Sequence, residues 1–149
     1  FPAGGGSPVN LTAGWDYIPS APRIAPEGRV VAFTAGVAGS THLFRVPLTG
    51  GAVEQVSRGN RRLADASIAW DAQRVAYVAG DATHPAEVHV AALDGSGERR
   101  LSSFNDALVS AVRPRPAEPV RFTSKDGTPI EGWLLLPGSA DASNRVPLI

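Results

Sequence analysis

The chain of 149 residues contains no cysteine and no methionine, and Lys125 is its single lysine. Without cysteine, disulfide cross-links, thiolate metal sites and a cysteine nucleophile are all excluded. Basic and acidic residues balance, with 14 of each sign and a formal net charge of +0. This balance gives no indication of a nucleic-acid partner or of binding to an anionic membrane.

Long apolar runs are missing too. No stretch approaches the roughly 20 apolar residues that a membrane-spanning helix needs, and the first residues do not have the pattern of a signal peptide. A cytoplasmic, bacterial protein without membrane contact is therefore expected. Hydrophobic residues make up 43% of the sequence and charged residues 19%, which is ordinary for a globular domain with a packed core.

Motifs for cofactors and metals are missing as well. The glycines at 4–6 and 95–97 lack the Gly-x-Gly-x-x-Gly spacing and the following helix of a phosphate-binding loop. The aspartates are spread over turns instead of being clustered as metal ligands. We therefore expect no cofactor and no metal.

What the sequence does contain is an internal repeat with a period of 44 to 45 residues. Residues 31–36, Val-Ala-Phe-Thr-Ala-Gly, match residues 75–80, Val-Ala-Tyr-Val-Ala-Gly, at a shift of 44. Residues 48–50, Leu-Thr-Gly, match residues 93–95, Leu-Asp-Gly, at a shift of 45. A regular period of this length is typical of arrays of similar structural units.

Each copy contains four short extended runs separated by turn-type residues, without helical periodicity. In the second copy the predicted strands are 67–70, 74–79, 86–92 and 98–102. A four-stranded unit of roughly 40 to 45 residues is typical of a β-propeller blade. Residues 13–57 and 58–103 are thus predicted to form two adjacent blades, and residues 1–12 the end of a preceding one.

Two further extended runs, residues 120–124 and 130–136, flank a turn at Asp126-Gly127. Asp-Gly between β-type runs is a strong hairpin signal, because glycine adopts the positive φ that a tight turn needs. Alternation along the second run places Trp133 on the face opposite Leu134. Three prolines between the repeat and this hairpin predict a stiff, extended connector.

The hairpin also has a distinctive residue order, Phe-x-Ser-x-Asp-Gly-x-x-Ile-x-Gly-Trp-Leu-x-x-Pro, from Phe122 to Pro137. This run resembles the entry into the catalytic domain of the prolyl oligopeptidase family, and above all of its acylaminoacyl-peptidase branch. Residues 145–149, Arg-Val-Pro-Leu-Ile, look like the core strand that follows in that family. The repeats resemble degraded blades of the same enzymes.

The resemblance implies a mainly β chain, with the C-terminal blades of a β-propeller followed by the first strands of an α/β-hydrolase domain. We expect the propeller portion at 1–112 and a truncated hydrolase portion at 113–149. The parent protein would be a serine peptidase that hydrolyses short peptides through an acyl-enzyme, with the propeller acting as a size filter. The remaining blades and hydrolase domain, and further copies in a homo-oligomer, are the expected partners.

No catalytic residue is assigned within the chain. The hydrolase nucleophile lies in a Gly-x-Ser-x-Gly turn that is followed by the aspartate and histidine of the triad, and the sequence contains no such motif. His42, His84 and His89 precede the hydrolase portion, and we interpret them as surface or blade-packing residues. The triad is therefore expected beyond Ile149.

Arg58, Arg61 and Arg62 form the candidate substrate-binding group. They lie between the last strand of one predicted blade and the first strand of the next, where propeller loops open near the channel. Arginine binds carboxylates through two parallel hydrogen bonds. The group is suited to hold the terminal carboxylate or an acidic side chain of a peptide, and a solvated or salt-bridged loop is the alternative interpretation.

A second hypothesis for the whole chain is a non-enzymatic propeller of the TolB type that acts as a binding module. It leaves the apolar runs at 130–137 and 146–149 without a purpose. The residues after Ile149 discriminate between the two hypotheses, since a His-Gly-Gly-Pro loop and a later Gly-x-Ser-x-Gly motif favour the enzyme.

Overall fold

The computed structural model describes residues 4–71 and 73–137, so the run at 145–149 lies outside the described residues. Blade A consists of β1 (Ser20–Ile24), β2 (Val30–Val37), β3 (Ser40–Pro47) and β4 (Glu54–Gln55). Blade B consists of β5 (Arg62–Ile68), β6 (Arg74–Gly80), β7 (Glu87–Ala92) and β8 (Arg99–Arg100). They are followed by helix α1 (Asp106–Val112), β9 (Glu118–Thr123) and β10 (Pro129–Leu134).

Both blades are antiparallel meanders in which each strand pairs with the next along the chain. The blades are joined by a parallel pairing of β3 with β5, through Thr41 and Arg62. No helix lies in the described part of 13–103. The prediction of two adjacent four-stranded units is confirmed.

The repeat extends to individual hydrogen bonds. In blade A the Leu43 amide donates to Ser57 Oγ at 2.9 Å, and in blade B the Val88 amide donates to Ser102 Oγ at 2.8 Å. The two pairs are separated by the 45-residue period. Matching backbone bonds join the fourth strand region to the third, from Val56 to Leu43 and from Leu101 to Val88. The sequence repeat is therefore a structural repeat.

The first strand of blade B was predicted at 67–70, and the structure corrects this to Arg62–Ile68. A β-bulge interrupts the strand between Ala64 and Ser67, where Asp65 has φ of 53°. A bulge shifts the inside–outside alternation by one residue. The sequence of β5 therefore lacks the regular alternation of apolar and polar residues that indicates a strand. The bulge recurs in β1, where Ala21 has φ of 48°.

The main core lies between the two blades. It contains the fully buried side chains of Leu43, Val75 and Tyr77, together with smaller residues. A second cluster covers the other face of blade A, where Trp15 makes edge contacts with Phe33 and Phe44 at ring-centroid distances of 5.4 and 5.0 Å. Both faces of blade A are thus covered, as a blade requires.

The connector was expected to be stiff and extended, and its first part is instead helical. Helix α1 begins after Asn105, has Asp106 in its first turn and buries none of its residues. An acidic residue in the first turn is the sequence signal for this helix start. Among the described residues, no helix has the length and apolar character to cross a membrane.

The hairpin is confirmed, with β9 and β10 beginning one or two residues earlier than predicted. Its turn contains Gly127 at φ of 87°, and the Ser124 amide donates to the Thr128 carbonyl at 2.9 Å. The alternation along β10 is also as predicted, with the half-buried Leu134 facing away from the 54% exposed Trp133.

Candidate functional site

The three arginines of the candidate group lie in the segment that links the blades. This segment follows the buried Val56 and Ser57, which come directly after β4, and it reaches β5 at Arg62. The Arg61 carbonyl accepts the Thr41 amide at 3.0 Å, which fastens the segment to the start of β3. Arg58 and Arg62 are exposed and Arg61 is half-buried, so the structure separates residues that look equivalent in the sequence.

Arg61 is held by an acidic partner 37 residues away. Its two terminal nitrogens donate to the two carboxylate oxygens of Glu98, at 2.5 and 2.6 Å. The guanidinium also lies over the Tyr77 ring at 5.8 Å from the centroid. A bidentate pair that also stacks on an aromatic ring is a strong arginine contact, so Arg61 acts first as a structural residue of blade B.

The aromatic ring beneath Arg61 is buried, whereas its partner Glu98 lies at the surface. Tyr77 is 2% exposed and stacks on His89 with an interplanar angle of 7°. Burial, together with the negative charge of Glu98, raises the pKa of Tyr77 to about 12. The hydrogen bonds from Arg61 hold the pKa of Glu98 below its usual value. The cluster therefore keeps one positive and one negative charge beside a neutral phenol.

Arg58 and Arg62 are the members of the group whose side chains reach solvent. Neither forms an ion pair with another residue in 4–71 or 73–137. Two positive charges on one short exposed segment favour an anionic ligand group. This part of the candidate site has the required chemistry.

The arginine segment lies at the end of the blades that the hairpin contacts. Gly39, in the β2–β3 turn, has φ of +77° and lies under the Trp133 ring, so a Cβ atom there would be 2.4 Å from the ring. Thr41, two residues later, pairs with Arg62. The hairpin and the candidate arginines are thus brought to the same end of blade A.

His42 and Ser57 form a buried pair and not an accessible hydrolytic site. His42 Nδ1 lies 3.5 Å from Ser57 Oγ, but that hydroxyl already accepts the Leu43 amide and both side chains are buried. Burial, with a smaller contribution from Arg61, lowers the pKa of His42. Within the described part of the chain, no group of three or more histidine, aspartate or glutamate side chains is arranged to hold a metal ion.

A cavity of about 420 Å³ opens between the first strands of the two blades. It is lined on one side by Arg23 and Ile24 of β1 and on the other by residues 65–68 of β5. The bulges of β1 and β5 border the cavity, and nothing in the sequence indicated these bulges. The cavity provides a polar surface along the first strands of both blades, and none of the three candidate arginines lines it.

No protein-family model and no curated protein match this sequence. Solved structures do. An acylaminoacyl peptidase from Pyrococcus horikoshii is similar over 92% of this chain and 20% of the peptidase, at 23% identity and a TM-score of 0.74. The chain has the fold of part of an acylaminoacyl peptidase.

Other structures extend this likeness. Dipeptidyl peptidase 4 from Porphyromonas gingivalis matches 92% of this chain and 20% of its own, at 18% identity and a TM-score of 0.69. Both peptidases are members of the prolyl oligopeptidase family, which the hairpin sequence resembles. A TolB protein from Agrobacterium tumefaciens matches 56% of this chain and 33% of its own, at 23% identity and a TM-score of 0.51. The chain spans about a fifth of the length of the peptidases.

Residues that the sequence interpretation missed complete the site. Glu98 and Tyr77 fix Arg61, and Gly39 receives Trp133. Nothing in the sequence pairs Arg61 with Glu98. The glycine in the β2–β3 turn was visible, but its role depends on a ring more than 90 residues further along the chain.

Proposed function

We propose that this chain is part of a serine peptidase of the prolyl oligopeptidase family that hydrolyses short peptides through an acyl-enzyme. In this proposal residues 1–112 belong to the propeller and residues 113–149 begin the α/β-hydrolase domain, which carries the triad beyond Ile149. The observation that supports it is that the acylaminoacyl peptidase matches 92% of this chain. The unmatched remainder is shorter than the hairpin, so the matched region includes at least part of the hairpin.

The propeller would act as the size filter, and Arg58 and Arg62 as the contacts for a carboxylate of the peptide. Their exposure and their position beside the Gly39–Trp133 contact support this role, because they lie where the propeller meets the proposed catalytic domain. The protein is proposed to be a cytoplasmic homo-oligomer that needs neither membrane nor nucleic acid.

The test of the activity is labelling of the full-length protein by a fluorophosphonate, followed by hydrolysis of a series of acylated peptides of increasing length. We expect labelling of the native protein but not of heat-denatured protein, and cleavage that decreases sharply as the peptide lengthens. Peptide binding without labelling would instead support the TolB-type binding module. Equal cleavage of long and short peptides would overturn the size filter.

The arginine contacts have a separate test. Replacing Arg58 and Arg62 together by alanine should raise KM about tenfold or more for peptides that carry the recognised carboxylate, because charged hydrogen bonds of this kind are worth about 1.5–3 kcal/mol. The matched control is Arg99→Ala, which removes an exposed arginine of β8. An equal change in KM for amidated peptides would show that the two arginines do not bind a carboxylate.

A further inference from the structure

Glu87 of blade B is a buried carboxylate, and the equivalent residue of blade A is not acidic. It is 4% exposed and begins β7. The 45-residue period makes Glu87 equivalent to His42, which begins the buried part of β3 in blade A. A buried carboxylate is costly unless hydrogen-bond donors surround it, so its partners indicate what it does.

Those partners lie on the segment that leaves blade B. The Asn105 amide donates to Glu87 Oε1 at 2.7 Å, and the Asn105 side-chain amide donates to the same oxygen at 3.0 Å. The Ser102 hydroxyl donates to Oε2. These hydrogen bonds, led by Ser102, hold the pKa of Glu87 down at about 2, so the carboxylate is ionised at neutral pH.

Helix α1 begins directly after this attachment. Asn105 occupies the N-cap position, yet its side chain makes no capping hydrogen bond, because its amide nitrogen is directed to Glu87 and to the Ala86 carbonyl. The helix has seven residues and none is buried, and a helix this short is not stable by itself. Besides Glu87, an exposed ion pair from Arg100 to Asp106 holds its first turn.

Blade A shows the arrangement without the carboxylate. Ser57 accepts the Leu43 amide as Ser102 accepts that of Val88, whereas within the described residues the hydrogen-bonding neighbour of the His42 ring is Ser57, at 3.5 Å. The residue equivalent to Asn105 is Asn60, and after it the chain continues directly into the next blade. The acidic residue is thus found in the blade after which the repeat stops.

We propose that Glu87 is a positioning residue that ends the blade repeat, by capturing Ser102 and Asn105 and so directing the chain into α1 and the hairpin. This role is independent of any catalytic activity. Position 42, in the blade from which the chain continues into a further blade, is a histidine and lacks this carboxylate.

The test is hydrogen exchange of backbone amides in the full-length protein carrying Glu87→His, which installs the residue of blade A. We expect exchange in 103–112 to be about tenfold faster, because Asn105 and Ser102 lose the charged acceptor of their hydrogen bonds, while exchange in β6 and β7 stays unchanged. Unchanged exchange in 103–112, or equal acceleration throughout blade B, would overturn the proposal.

A matched pair of milder variants keeps the test decisive if Glu87→His does not fold. Ser57→Ala and Ser102→Ala each remove a hydroxyl that accepts one strand amide, but only Ser102→Ala also removes a donor to Glu87. Exchange in 103–112 should accelerate in Ser102→Ala and stay at the wild-type rate in Ser57→Ala. The same response of this segment to both variants would refute the exit role.

Discussion

Replacement of Gly39 by alanine tests the contact between blade A and the hairpin. Two costs are expected. A φ of +77° strains a residue with a side chain, at about 1 kcal/mol, and the new Cβ displaces the Trp133 ring, because it would lie 2.4 Å from it.

The second cost follows from the burial of the ring. Trp133 is 54% exposed, so about half of its roughly 200 Å² is covered. At about 25 cal/mol per Å² the covered area is worth up to about 2.5 kcal/mol. Gly39→Ala should therefore lower the free energy of unfolding by about 2 to 3.5 kcal/mol.

Gly50→Ala is the matched control, because Gly50 has φ of +85° and a Cβ atom added there would have no atom of the described residues within 4 Å. It should cost only the strain of about 1 kcal/mol. The assay is urea-induced unfolding of the full-length protein, with amide exchange of the hairpin measured in parallel. In a double-mutant cycle, Gly39→Ala should cost less once Trp133 has been replaced by alanine. Strict additivity, or equal losses in Gly39→Ala and Gly50→Ala, would refute the contact.

Three further outcomes are expected. Tyr77→Ala should cost about 4 kcal/mol by calorimetry, whereas Tyr77→Phe should cost little, because none of the described residues makes a hydrogen bond of good geometry to the buried hydroxyl; a large loss in the phenylalanine variant would contradict this. Glu98→Gln should cost about 2 kcal/mol, because Arg61 loses its countercharge, and no loss in urea titration would contradict it. The lowered pKa of His42 means that the unfolded state binds the proton more tightly than the folded state does, so the free energy of unfolding should fall as the pH drops below about 6.5. In unfolding curves measured against pH, His42→Gln should make this fall smaller, and an unchanged pH profile would contradict the reasoning.

The order of elements was largely predictable. The repeat of 44 to 45 residues placed two four-stranded blades correctly, because turns and apolar runs recur locally in the sequence. The Asp126-Gly127 turn placed the hairpin in the same way. The start of β5 was missed because a bulge disturbs the alternation along that strand. Helix α1 was missed because the prolines that follow it indicated an extended chain.

The candidate site was predictable only as a segment. Arg58, Arg61 and Arg62 are equivalent by composition and spacing, and the structure alone pairs one of them with Glu98 and leaves the other two exposed. The difference arises because the folding of blade B brings the segment before β5 close to the segment before β8, although Arg61 and Glu98 are 37 positions apart. No local pattern carries that information.

The sequence by itself determined the period, the turns and the alternation of strands, because these depend on the preferences of neighbouring residues for β structure and for positive φ. The tertiary structure decided which charges are neutralised and where the chain leaves the repeat. Glu87 is an ordinary acidic residue in the sequence, and only folding buries its carboxylate and surrounds it with the donors of Ser102 and Asn105. The physical reason is that the energy of a buried charge is set by its neighbours in space.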